Sequence, residues 1–246
     1  MSEPVMTSWM KTRIGARLLL LQARWDPARM QGPGLAFALE PWLVECWSSE
    51  PESLLAARRR HLEYFNTHPV AAWLVAGIVC RREAEASSLT GPARETAIAR
   101  IRTLKTALGA SLAGPYDSMF WGAVRPVSAL AGILAAQAAY RFGSPYAPFW
   151  AAATALVVYN APSAYARILG LVRGFEEGEK AVAALTRLPV QAWILALRRV
   201  TVGGTLAAFV IGAGMLDGGD RLMASLTFAA GLTLAWKGVS PLAQLV

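Results

Sequence analysis

The chain is poor in reactive side chains. It has two cysteines and two histidines in 246 residues. Cys46 and Cys80 sit in apolar surroundings and form no C-x-x-C or His/Cys ligand cluster, so they read as free buried thiols, and neither redox nor zinc chemistry follows. His61 and His68 do not make an H-E-x-x-H pair, and no Asp, Glu or Cys set completes a metal site by local spacing. G-x-S-x-G and Walker-type loops are also missing. The expectation is therefore no catalytic residue, no metal and no cofactor. Charge is scarce as well: 16% of residues are charged against 55% hydrophobic, with a mean hydropathy of +0.38, values that leave the soluble range for the bilayer. Acids are scarcer than bases, and the net charge is +8. The surplus Lys and Arg interrupt or flank apolar runs and form no basic, aromatic stripe. That argues against a nucleic-acid surface, which charge alone would allow, and fits the positive-inside bias of a membrane protein more simply.

What is present is a series of apolar segments, several of half length. In SWMKTRIGARLLLLQARW (Ser8–Trp25), Trp9, Ile14, Leu18, Leu21 and Trp25 recur at helical steps, with Lys11, Arg13, Arg17 and Arg24 in the gaps. This is the pattern of an amphipathic helix in the headgroup region; an ordinary surface helix is the alternative. No compact apolar core with a small-residue cleavage site follows, so no secretory signal is expected. RMQGPGLAFALEPWLVECW (Arg29–Trp47) is interrupted at Pro41 and reads as a broken or re-entrant pair. Ser48–Tyr64, with Arg58, Arg59 and Arg60, reads as a solvated arm. HLEYFNTHP (His61–Pro69) opens the short apolar run Val70–Cys80 and reads either as the wall of a polar cavity or as a helix cap before a proline. Arg81–Leu108 carries the soluble character. Met119–Tyr140 is long enough to cross a bilayer, and Tyr146–Val172 is a second candidate, interrupted by Asn160, Pro162 and Ser163. Leu188–Leu197 is a short segment before Arg198 and Arg199. Val200–Leu216 and Leu222–Trp236 look like a closing hairpin.

The chain is organised around GPYDSMFWGAVRP (Gly114–Pro126). On a helix, Asp117, Ser118, Trp121 and Arg125 fall along one broad face. An ionised side chain at the centre of a membrane helix is disfavoured by about 2.5–3.5 kcal/mol on insertion scales, so these groups are expected to face protein, substrate or water. Together with Asn66, Thr67 and Asn160 they supply amide, hydroxyl and carboxylate groups beside the aromatic platforms Phe120 and Trp121. That inventory matches the alternating donors and acceptors and the apolar ring face of a sugar.

The ordered motifs RMQGPGLAFAL, HLEYFNTHP, AGPYDSMFWGAVRP, YNAPSAYARILGLVRGFEEG and KGVSP resemble the IID component of the mannose/fructose/sorbose family of bacterial phosphotransferase (PTS) sugar permeases. The resemblance implies an all-α integral membrane protein with transmembrane and re-entrant or broken helices and an N-terminal amphipathic interfacial helix. It implies one IID domain over 1–246: an interfacial helix at 8–25, broken or re-entrant segments and an arm at 29–80, a soluble helical segment at 81–108 and a transmembrane core at 109–246. It places the chain in the bacterial inner membrane as a multi-pass, non-catalytic subunit paired with IIC, in a trimer of such pairs. The pair would carry a hexose or amino sugar, while the cytoplasmic IIB subunit, fed by IIA, phosphorylates it. Carried over by motif, Asn66, Thr67, Asp117, Ser118 and Trp121 would bind sugar, and Glu63, His68, Arg125 and Asn160 would support the pocket. The resemblance departs at Pro115 and Tyr116, where the family reads G-I-G-D-S, and after KGVSP, where the family continues into another apolar helix. These departures carry the alternative of a regulatory or degenerate paralogue acting as a scaffold or sensor.

Overall fold

The computed structural model describes residues 4–216 together with 219, 220 and 225. The helices are α1 (Ser8–Leu18), α2 (Gly32–Trp47), α3 (Pro51–Leu62), α4 (Ala71–Ser88), α5 (Gly91–Met119), a π-helical segment (Phe120–Val124), α6 (Arg125–Arg141), α7 (Ala147–Glu177), α8 (Glu179–Thr186) and α9 (Val190–Gly214). Among the described residues the only extended pairings are the isolated bridges Asp26–Met30 and Met30–Phe65. Local signals set several helix starts. Thr7 caps α1 by accepting from Met10 N at 3.2 Å, and Pro33, Pro51 and Pro92 occupy first turns, where a missing N–H costs nothing.

Three helices run through breaks that the sequence predicts. α2 continues past Pro41, whose ring cannot donate to the carbonyl four residues back, Phe37 O. That carbonyl is taken from outside: Arg17 Nη1 donates to it at 2.8 Å, and its guanidinium lies 4.5 Å above the Phe37 ring. α7 likewise continues through Asn160, Pro162 and Ser163, with Ser163 Oγ donating to Tyr159 O at 2.8 Å. α9 is one helix through Arg198 and Arg199, where the sequence predicts two segments. The proposed partner of its hairpin, Leu222–Trp236, and the KGVSP motif lie outside the described residues.

The described chain divides into two compact units. One comprises Met1–Arg125 and Tyr159–Leu195, and its core is built on α2 and α4, which bury most of their length. Trp42 and Trp47 are fully buried, their indole N–H groups donating to Cys80 O at 2.7 Å and Glu83 Oε2 at 2.9 Å. Both cysteines are buried free thiols. Close backbone contact explains two glycines. A Cβ on Gly34 would stand 1.8 Å from Leu21 O, and one on Gly174 would stand 2.5 Å from Leu74 O. In α1, Met10, Ile14, Gly15 and Leu18 face this core, whereas Trp9 is exposed with Arg13 over its ring.

The arm Ser48–Tyr64 departs from the solvated expectation. Within α3, Ala57, Arg60 and His61 are buried. Glu83 from α4 receives Arg60 through two 2.7 Å hydrogen bonds and His61 Nε2 through a third of 2.7 Å, and Lys105 Nζ donates to Arg60 O. The run of cations hides a buried charge cluster because a tertiary acid is there to receive it.

The second unit comprises described residues of Pro126–Val158 and Ala196–Val246. Gln137 Nε2 donates to Ala208 O at 2.7 Å, joining α6 to α9, and Gly132 lets α6 approach Ala151 O. Ile133, Phe149, Trp150, Leu156, Val202 and Val210 are exposed, as expected of helices whose solvent is lipid. Among the described residues, three helical stretches are long and apolar enough to cross a membrane: Gly91–Arg141, Ala147–Glu177 and Val190–Gly214.

Candidate functional site

The chain leaves α3 at Glu63 in an extended conformation and returns to helix at Ala71, so 63–70 form a hairpin tip. Its backbone is paired on one edge. Gln31 N donates to Phe65 O at 2.8 Å, and Phe65 N donates to Arg29 O at 3.3 Å. The Gln31 side chain extends the pairing: Nε2 donates to Thr67 O at 2.8 Å, and Oε1 accepts from Thr67 N at 3.1 Å. Gln31 is itself buried, and Met30 before it adopts a left-handed φ of 53°. A strained residue and a buried amide together fix the tip.

Fixing Thr67 fixes its neighbours. Thr67 and His68 are buried, whereas Asn66 is exposed. His68 Nδ1 accepts from Val70 N at 3.1 Å, so the neutral ring carries its proton on Nε2. Burial holds His68 at about 4, with Asp117 pulling its pKa up and Arg167 pushing it down, so the ring is a neutral donor at physiological pH. Both His68 Nε2 and Thr67 Oγ1 are buried without a hydrogen-bond partner among the described residues. Buried polar atoms are rarely left so, and two at one hairpin tip mark a site.

The facing wall is the end of α5 and the π segment. His68 stacks on Phe120 at 5.2 Å between ring centroids and meets Tyr116 and Trp121 at 6.1 Å each. The helix widens here because Pro126 cannot donate to the carbonyl four residues back; Arg125 N instead reaches Phe120 O, five residues back. The widening turns Phe120 inward and leaves Trp121 47% exposed, with Arg125 4.9 Å over its ring. Asp117 is exposed and Ser118 half-buried on the same stretch. The tip and the π segment thus bring Asn66, Thr67, His68, Asp117, Ser118, Trp121 and Arg125 into one neighbourhood.

Glu63 stands apart from that neighbourhood. Glu63 pairs with Arg102 at 3.1 Å and lies 3.9 Å from Lys105, so it ties the hairpin to α5 about 16 Å along the helix axis from Tyr116. Asn160 is exposed on α7. Gln31, which holds Thr67, and Arg167, which acts on His68, adjoin this neighbourhood without having been singled out by motif, whereas Tyr116 enters the sequence reading only as a departure from the family pattern. Gln31 had a signal, a polar residue before G-P-G inside an otherwise apolar run. Arg167 had one too, a cation inside a span.

Elsewhere in this unit a crevice of about 540 Å³ is lined by Arg81, Arg82, Arg100, Glu176, Glu177, Glu179 and Lys180. Its walls are already paired: Arg82 with Glu85 and Glu179, and Arg81 with Glu85 at 2.9 Å. It reads as a solvated ion-pair network rather than a site for a neutral ligand.

Residues 6–215 match the family described as the PTS system mannose/fructose/sorbose family IID component. The chain is 31% identical over 159 residues to the PTS system mannose-specific EIID component of Escherichia coli strain K12, covering 65% of this chain and 52% of that protein. It is 29% identical over 165 residues to the PTS system sorbose-specific EIID component of Klebsiella pneumoniae, covering 67% and 55%. The chain thus spans about half the length of the curated relatives it matches. In fold it resembles a chain of the mannose transporter ManYZ solved with microcin E492, with TM-score 0.61, 24% identity and coverage of 99% and 93%. A second solved membrane protein gives TM-score 0.68 at 23% identity, covering 98% and 93%.

Proposed function

Because the chain belongs to the mannose/fructose/sorbose IID family of the phosphotransferase system, we propose that it is the membrane subunit that, with a IIC partner, binds and passes a hexose or amino sugar across the bacterial inner membrane. Phosphorylation of the sugar by IIB, supplied by IIA, belongs to the same proposal. This chain would add binding and no bond-making step.

The observation that carries the reading is the hairpin tip against the π segment. It offers an imidazole N–H and a hydroxyl that have no hydrogen-bond partner among the described residues, beneath three aromatic rings, with Asn66, Asp117 and Trp121 exposed around them. Neutral hydrogen-bonding groups beside an aromatic face suit a polyol ring, and their exposure suits a pocket completed by a second subunit. Asn66, Thr67, Asp117, Ser118 and Trp121 contact the sugar in this proposal. Glu63, His68, Arg125 and Asn160 hold the pocket. The exposed Trp9, the Arg13 over it and the exposed Trp25 support an interfacial position for α1.

The test is co-expression with IIC, purification of the complex in detergent, and binding of mannose, glucosamine, N-acetylgalactosamine and fructose to the wild type and to Asn66→Ala and Asp117→Asn. Binding that either substitution abolishes in an intact complex supports the pocket. A stable complex that binds none of the four moves the assignment to a scaffold or sensor.

A further inference from the structure

Arg167 lies in the second half of α7, within a helix long and apolar enough to cross a membrane. It is half-buried and, among the described residues, makes no ion pair and no hydrogen bond. A cation so placed is costly and marks a functional position unless a partner compensates it.

Its location follows from the packing of α7 on α4. A Cβ on Gly170 would lie 3.2 Å from Leu74 N, one on Gly174 would lie 3.0 Å from Ile78 N, and one on Gly77 would lie 2.9 Å from Phe175 N. The two helices therefore advance in the same direction where they touch. Arg167 is one turn before Gly170 on the same face, and one turn before Leu74 is the start of α4 at Val70 and Ala71. Arg167 thus stands beside the His68–Val70 tip, at a helix N-terminus with no side-chain cap. A cation is disfavoured there by the helix dipole, so the fold of this chain alone gives no reason for it.

Asp117 is the complementary charge. It and Arg167 act on His68 with opposite sign, yet they form no ion pair with each other or with another described residue. An acid and an arginine held around one imidazole without joining suit a ligand group that donates to one and accepts from the other. A vicinal diol does both. A protonated amine in that place would meet Arg167, and a carboxylate would meet Asp117.

We propose that Arg167 is a sugar-contacting, specificity-determining residue that donates to the oxygens of a neutral vicinal diol whose hydroxyl proton is accepted by Asp117. The assignment rests on the sugar-pocket reading above and deepens it: a hydroxyl pair is favoured over an amino-bearing carbon at this position.

The experiment measures binding of mannose and glucosamine to the IIC complex carrying Arg167→Gln or Arg167→Lys, beside Asp117→Asn, with the melting midpoint of each complex. Arg167→Gln is expected to weaken mannose roughly ten- to hundredfold, the loss of a charged donor, and glucosamine less, so that selectivity narrows. Arg167→Lys keeps the charge but not the planar fork and should fall between. Wild-type mannose affinity, or an unchanged mannose-to-glucosamine ratio, in an Arg167→Gln complex that melts normally overturns the assignment. So does failure of both Arg167 variants to assemble while Asp117→Asn assembles, which makes Arg167 a structural cation. Sugar binding that depends on Asp117 and not on Arg167 sinks this inference alone. A wild-type complex that binds neither sugar overturns the pocket and this assignment with it.

Discussion

Replacing Glu83 by Gln should be among the most destabilising single changes in the chain. The carboxylate is 0% exposed and accepts four hydrogen bonds: two from Arg60, one from His61 and one from Trp47. The amide keeps the shape but removes the charge, leaving the Arg60 guanidinium, itself 2% exposed, without its counter-ion. Breaking a buried pair in this way costs about 3–5 kcal/mol. At about 2–4 °C per kcal/mol for a body of this size, the melting midpoint should fall by roughly 6–20 °C. The double variant Arg60→Met/Glu83→Leu removes both charges and should recover part of the loss. It leaves the His61 and Trp47 donors unpaired, at about 1–3 kcal/mol each, so recovery stays incomplete. Tryptophan-fluorescence melting of detergent-purified protein reads both. A Glu83→Gln midpoint within about 2 °C of wild type would refute the argument, as would a double variant no more stable than the single one.

The same cluster sets a pH dependence. Burial alone would push the Glu83 carboxyl up, but the bonds from Arg60 and His61 hold it at about 2, below the ordinary 4.5. Its contribution is therefore whole above pH 4.5 and drains as pH falls toward 2. Burial lowers His61 below the ordinary 6.5, so the unfolded chain takes up a proton there that the folded chain refuses. Stability should start to fall below pH 6.5 and fall more steeply below 4.5, and the Arg60→Met/Glu83→Leu variant should lose the steeper part.

Arg17→Ala frees Phe37 O above Pro41 and should cost about 1–3 kcal/mol, with faster amide exchange confined to the middle of α2. Gly34→Ala drives a methyl into Leu21 O; the backbones must separate, and the variant should melt at least several degrees lower or fail to accumulate. Gln31→Leu removes both hydrogen bonds to the Thr67 backbone and should weaken sugar binding by the IIC complex about tenfold, more than it lowers the melting midpoint in proportion; equal effects on both would point to a packing role alone.

Composition and local pattern determined the class of this protein. Scarce charge, long apolar stretches and cations at their edges lead to a membrane α-protein, because composition and helical spacing act locally. The order of the HLEYFNTHP and GPYDSMFWGAVRP motifs carries the family, and with it Asn66, Thr67, Asp117 and Trp121 as candidates. Where a signal depends on a partner far along the chain, local reading fails. Pro41 predicts a break, and only Arg17, brought in by α1, removes it. Arg60 and His61 predict a solvated arm, and only Glu83 across the core makes their burial affordable. Gln31 and Arg167 look like isolated polar residues until Gln31 is paired with Thr67 and the glycine contacts between α7 and α4 carry Arg167 to the start of α4. Helix periodicity is fixed by neighbours in sequence, but whether a polar group is satisfied is decided by neighbours in space.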